Sequence, residues 1–226
     1  MTDTDIITHK FRDHTFYFTP TYMAKDLIAE VFADNYKVLE SKLEFNPGDV
    51  ILDIGACEGM FSILLSKLFP LARIIAFEPV PRTYFTMMRN IGLNGCTNIG
   101  AHNIGLGKSA GTVTMFVGKK GDSGGSSSVM TFNPEWHEKV ECDMIGLDDA
   151  WERFGLDRVK LLKIDVEGAE YDILYNSTKL NNVDFYVAEH HINARLDYDG
   201  RRIDGLANWI ANRTKIVHIQ PCRMAE

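Results

Sequence analysis

Val50-Ile-Leu-Asp-Ile-Gly-Ala-Cys-Glu-Gly59, followed at once by Met60-Phe-Ser-Ile-Leu-Leu65, is the stretch that decides the fold. An apolar run leads to Asp53, Gly55 and Gly59 bracket a tight turn, and apolar residues then resume at helical spacing. A strand that enters a glycine turn and feeds a helix presents backbone N–H groups and the positive helix end to a ligand. Glycine belongs where the backbone takes positive φ or a ligand comes close. An ordinary βα turn has the same glycines, so the reading needs a second feature. Glu78 supplies it: it closes the next apolar run, Arg73-Ile-Ile-Ala-Phe-Glu78, 25 residues beyond Asp53. An acid at that offset in a βαβ unit can accept hydrogen bonds from both hydroxyls of a ribose.

Outward from this unit, strands and helices alternate. Pro81 to about Asn94 is predicted as a helix with Asn94-Gly95 as its exit, and Asn98 to Ile104 as the third strand. Gly111–Val117 and Val140–Met144 read as strands, Leu147–Phe154 as a helix and Val159–Asp165 as a strand. Ala169–Tyr175 is helical, Asp184–Glu189 a strand, Arg201–Ala211 a helix and Lys215–Ile219 a last strand. This order predicts an α/β fold with a doubly wound, mostly parallel sheet and helices on both faces. Ahead of it, Phe11–Phe18 reads as a hairpin and Asp26–Tyr36 as a helix, so residues 1–46 are expected as a cap and 47–226 as the main domain. Residues 118–139 contain Gly121-Asp-Ser-Gly-Gly-Ser-Ser-Ser128 and no periodicity, which suggests a flexible loop over the site.

The 226 residues, 45% hydrophobic and 24% charged, suffice for one globular core. A net charge of −7 argues against an extended nucleic-acid surface. Cys57, Cys96, Cys142 and Cys222 form no CxxC pair, so neither a zinc site nor a redox dithiol is expected. No apolar run reaches the length of a membrane span and the acidic N-terminus is unlike a secretory signal, so a cytoplasmic protein is expected.

Asp53-Ile-Gly-Ala-Cys-Glu-Gly-Met-Phe-Ser62, Phe77-Glu-Pro-Val-Pro81, Asn90-Ile-Gly-Leu-Asn94 and, most specifically, Leu161-Leu-Lys-Ile-Asp-Val-Glu-Gly-Ala-Glu170 resemble the FkbM family of S-adenosylmethionine-dependent methyltransferases. The likeness runs from about Pro47 to His191, with the motifs in order. The family usually has asparagine where this chain has Cys57. The resemblance implies a class I methyltransferase (Rossmann-like) fold with S-adenosylmethionine in the crevice. Asp53, Gly55, Ala56, Cys57, Gly59 and Phe61 would then surround its methionine end, with Asp53 near the amino group. Glu78 and Pro79 would hold the ribose, Asn103 and Ile104 would frame the adenine, and Asp165 would stand beside the methyl. The turn, Asp-x-Gly-x-x-x-Gly, agrees: it is not the Gly-x-Gly-x-x-Gly that cradles a pyrophosphate.

Methyl transfer needs an aligned nucleophile, and a hydroxyl needs help to lose its proton. The expected catalytic residues are Asp165, Glu189 and His190. Asp165 and the Glu189–His190 pair close neighbouring strands, and if a divalent metal such as Mg²⁺ is present these three are its expected ligands. Direct acid–base chemistry is favoured over a metal, because imidazole is an uncommon Mg²⁺ ligand. His190 and His191 are adjacent in a strand, so only one of them should face the pocket. The expected reaction is O-methylation of a sugar or natural-product-like small molecule. N-methylation of a peptide asparagine and a non-catalytic S-adenosylmethionine- or nucleotide-binding module stay open, as do oligomeric state and acceptor identity.

Overall fold

The computed structural model describes residues 6–32, 43–119, 126–128 and 133–223. A hairpin, β1 (Ile7–Phe11) and β2 (His14–Phe18), leads to helix α1 (Ala24–Val31). Then come β3 (Val50–Ile54), α2 (Met60–Leu68), β4 (Arg73–Phe77), α3 (Pro81–Leu93) and β5 (Ile99–His102). An insertion follows: β6 (Gly105–Gly107), β7 (Gly111–Gly118), β8 (His137–Gly146) and α4 (Leu147–Arg153). The chain closes with β9 (Val159–Ile164), α5 (Glu170–Tyr175), β10 (Val183–Ile192), α6 (Ala194–Tyr198), α7 (Ile203–Ala211) and β11 (Lys215–Arg223).

Six strands form one sheet in the order β11-β10-β9-β3-β4-β5, every neighbouring pair parallel. The order reverses between β3 and β9, and in such sheets the crevice beyond that reversal takes the ligand. The last strand, β11, is a single strand parallel to β10 and no hairpin follows it among the described residues. The insertion strands make a separate sheet, β6-β8-β7.

Alternation along each strand builds two cores. Leu52, Ile54, Ile75, Phe77, Leu162, Ile164 and Tyr186 pack under α4, α5 and α7. Ile51, Ile74, Ala76, Leu161 and Val187, on the opposite face, pack under α2, α3 and α1. The hairpin shares this second core through Phe16 and Phe18, both fully buried. Burying such a ring contributes roughly 1.5–3 kcal/mol.

Elements that sequence periodicity reaches only in part are β8, which begins at His137, β10, which runs on to Ile192, and β1, which begins at Ile7. The expected helix Asp26–Tyr36 is α1 to Val31, and residues 33–42 lie outside the described residues. Residues 120–125 and 129–132 of the expected 118–139 loop also lie outside them. Within it, Ser127 bridges Phe116 in antiparallel fashion, which ties the segment to β7. Among the described residues no helix is long and apolar enough to cross a membrane.

Candidate active site

A cleft of about 660 Å³ opens beyond the carboxyl ends of β3, β4, β9 and β10, a size suited to a small-molecule site. Its walls come from every layer of the molecule. Met23, Leu27 and Glu30 belong to the N-terminal cap, Gly55 and Cys57 to the turn after β3, and Glu78 and Pro79 to the end of β4. Leu106, Val113, Met115 and Met144 come from the insertion, and Asp165, Glu167, Glu189 and His191 from the ends of β9 and β10.

The turn is held by its backbone. Gly55 and Ala56 donate from N–H to the carbonyl of Phe77, and positive φ falls at Gly55 (77°), Cys57 (51°) and Gly59 (81°). A Cβ on Gly55 would lie 1.8 Å from the Asp165 carbonyl oxygen, so only glycine lets the turn rest on the end of β9. The Cys57 N–H donates to Glu78 Oε2 at 3.0 Å and the Val80 N–H to Oε1 at 2.9 Å. Burial pushes the Glu78 carboxyl up to about 8, against these two donors and Lys163, which pull it down.

Asp53 stands apart from the cleft. Fully buried behind the turn, it accepts from Ser62 Oγ at 2.6 Å and pairs with Lys163 Nζ at 3.2 Å. Lys163 sits opposite Asp53 in the β3–β9 register and donates to the Gly55 carbonyl at 2.7 Å. The pair therefore braces the turn from beneath. Ala56, Gly59 and Phe61 also lie behind it, off the cleft wall, Gly59 against Met87 and Phe61 in the second core. Asn103 likewise misses the cleft: its Nδ2 donates to the carbonyls of Glu78 and Pro79 and so fixes the end of β4. Ile104 packs against the first core, and the wall expected from it is made by Gly105, Leu106 and Gly107 instead.

The cleft wall holds His191 and not the expected His190. Residues of one parity on β10 face one side, so Glu189 shares the cleft face with His191 and not with His190. His190 is fully buried on the opposite face and shares a 2.8 Å hydrogen bond with the Tyr186 hydroxyl. Burial, then the nearby His191, lowers its pKa to about 4, so it is a neutral core residue. Parity alone, applied to Glu189, could have selected His191.

His191 is held as a cation. Its Nδ1 lies 2.8 Å from Oε1 of the fully buried Glu170, which also accepts from the N–H groups of Val166 and Gly168. Burial alone would lower the imidazole pKa, but Glu170, Glu167 and Asp165 outweigh it and raise it to about 9. Around it the acids go the other way. Burial, with Asp165, Glu170 and Glu189 adding repulsion, pushes Glu167 up to about 8. Glu189 is raised by burial and by Asp165. The Cys222 thiol donates to Glu189 and is itself pushed up to about 12, chiefly by burial. Glu30 is exposed as a residue, yet its carboxyl comes within 4.8 Å of those of Asp165 and Glu189. Desolvation there, followed by these two charges, raises it to about 7. Glu30, Glu167 and His191 line the cleft although none was among the expected catalytic residues; Glu167 lies within the Leu161–Glu170 motif.

The motif Asn90-Ile-Gly-Leu-Asn94 acts from outside the cleft. Asn90 Oδ1 accepts from the Thr19 N–H and hydroxyl while its Nδ2 donates to the Glu58 carbonyl in the turn. Asn94 exchanges hydrogen bonds with the Tyr17 N–H and carbonyl. Both asparagines clamp the N-terminal cap to α3, and so set the wall that carries Glu30.

Residues 53–214 match the methyltransferase FkbM domain. The chain is 32% identical to methyltransferase sdnD of Sordaria araneosa over 71% of each chain. It is 35% identical to methyltransferase 1 of Beauveria bassiana over 58% of this chain and 59% of that protein. It is 26% identical to 31-O-demethyl-FK506 methyltransferase FkbM of Streptomyces tacrolimicus, over 67% of each. With the glycine turn, the strand-end acid of β4 and the parallel sheet, these matches establish that the chain belongs to the FkbM family of S-adenosylmethionine-dependent methyltransferases.

Proposed function

We propose that this enzyme methylates a hydroxyl group of a sugar or natural-product-like small molecule, with a strand-end carboxylate taking the hydroxyl proton. The observation that carries the reading is the ring of Asp165, Glu167, Glu189 and Glu30 around His191 on one wall of the cleft. Such a wall offers acceptors to several hydroxyls of a polyol and a base to one of them.

The residues present fit S-adenosylmethionine. Glu78 offers a carboxylate acceptor for a vicinal diol, and Pro79, Leu106 and Met144 offer apolar surface for a flat ring. The turn after β3 has none of the phosphate-cradling glycine spacing, as a phosphate-free ligand requires. When bound, the sulfonium supplies an electrophilic methyl group. Asp165, at the strand end touching the glycine turn, is the residue we assign as proton acceptor, with Glu189 beside it. Without a bound ion, His191, protonated beside Glu170, is a donor that orients the acids and is not itself the base. Met23, Leu27 and Glu30 would form the acceptor-side wall. The name of the Streptomyces relative, which describes methylation at an oxygen, supports oxygen as the target.

The test is methyl-label transfer from S-adenosylmethionine to a panel of glycosides, hydroxylated macrolides and asparagine-containing peptides. We expect label on a hydroxyl oxygen of the first two classes. Label confined to peptide amide nitrogen, or binding of S-adenosylmethionine with no transfer to any class, would overturn the proposal.

A further inference from the structure

We propose that Asp165, Glu167 and His191 bind one divalent first-row metal ion, of the Mn²⁺ type, at the carboxyl ends of β9 and β10. One ligand atom from each lies within 4.8 Å of the other two. Ligands about 2.0–2.4 Å from a common ion stand at most about 4–5 Å apart, so side-chain rotation alone can close the site. Glu189 adjoins it, meeting the same separation to Asp165 and to His191.

The histidine gives an observation independent of the acids. Its side chain is 3% exposed, and Nδ1 is taken by Glu170. Nε2 points between the acids, in ion-pair contact with Glu167 and Asp165. It stands 3.5 Å from Glu167 Oε2 and 4.0 Å from Asp165 Oδ1, longer than an ordinary N–H···O bond. Glu170 is fully buried and anchored by two backbone N–H groups, so the ring cannot turn away. A buried carboxylate that fixes Nδ1 and aims Nε2 is how proteins orient a metal-binding imidazole. One imidazole among carboxylates suits Mn²⁺ or Fe²⁺ better than an all-oxygen Mg²⁺ site. Binding transfers the Nε2 proton to solvent and the ion takes over its place as counter-charge to the acids.

This inference does not depend on which acceptor is methylated, and its test uses none. The chelator-stripped full chain is titrated with Mn²⁺, read by loss of the free-ion electron paramagnetic resonance signal and by calorimetry. We expect one ion per chain, at least tenfold weaker binding in Glu167→Gln, and no saturable binding in Asp165→Asn/Glu167→Gln. Glu135→Gln, an exposed acid away from the cleft, should bind as wild type. Circular dichroism and a cooperative urea transition verify that the double variant is folded. No saturable Mn²⁺ uptake by the wild type, or unchanged affinity in the folded double variant, would overturn the site. Either result leaves the hydroxyl-transfer reading to its own label-transfer test.

Discussion

Glu78 Oε2 accepts the Cys57 N–H at 3.0 Å, which makes the acid closing β4 and the turn opening α2 a single unit. Burial holds that carboxyl at about 8, so near neutral pH much of it is protonated before a ligand arrives. A diol donates best to the ionised form. Affinity for S-adenosylhomocysteine should therefore rise with pH through about 8 and level off above, with proton release on binding. Glu78→Gln should flatten this dependence, and Glu78→Ala should weaken binding about ten- to a hundredfold, as for hydrogen bonds to a charged group. Calorimetry between pH 6 and 9.5 checks both, and a pH-independent wild type would remove Glu78 from the ribose.

The two adjacent histidines should separate by readout. His191→Asn should lower kcat by about a hundredfold or more, because the acids lose their oriented donor, while S-adenosylhomocysteine still binds. His190→Gln should leave kcat near wild type and act on stability alone. In the folded protein His190 has a pKa of about 4 against an ordinary 6.5, so the unfolded chain binds the extra proton. The stabilisation is present above pH 6.5 and is lost as pH falls towards 4, by up to about 3 kcal/mol. Denaturation midpoints at pH 4.5 and 7.5 should therefore differ more for the wild type than for His190→Gln. Equal differences in the two proteins would contradict the assignment.

Lys163 and Asp53 should behave as one buried pair. Removing the cation alone, in Lys163→Met, leaves Asp53 charged with zero exposure and should cost about 3–5 kcal/mol. Adding Asp53→Asn should recover part of that loss, because no charge is then buried alone. Additive losses in urea denaturation would mean that the two act separately.

Strand alternation and helical spacing made the six-stranded sheet legible, because Leu52 and Ile54 against Ile51 is a pattern of local residues. Glu78 and Asp165 were legible for the same reason, being acids that end apolar runs. The insertion was not. Gly105-Leu-Gly107 becomes a strand only by pairing with Met144-Ile-Gly146, far along the chain, and three residues carry no period of their own. Glu30 sits on a helix whose facing depends on how Asn90 and Asn94 clamp the cap, a relationship between segments that no single stretch records. His191 failed for a smaller reason: Glu189 and His190 are neighbours in sequence and therefore opposites on a strand.

Cys57 holds a backbone conformation better suited to asparagine than to cysteine. The residue holds φ at 51° between Gly55 at 77° and Gly59 at 81°, with its side chain on the cleft wall. A left-handed conformation costs an ordinary L-residue about 1–2 kcal/mol, and asparagine less, because its short amide can bond locally. Cys57→Asn should therefore stabilise the protein by about 0.5–1 kcal/mol, a rise in Tm of roughly 1–4 °C for a chain of this size. Cys57→Val should move Tm the other way, since a β-branched side chain tolerates this region least. Thermal unfolding of the two variants side by side decides it. Shifts of the same sign would mean that side-chain packing in the cleft, and not backbone conformation, governs this position.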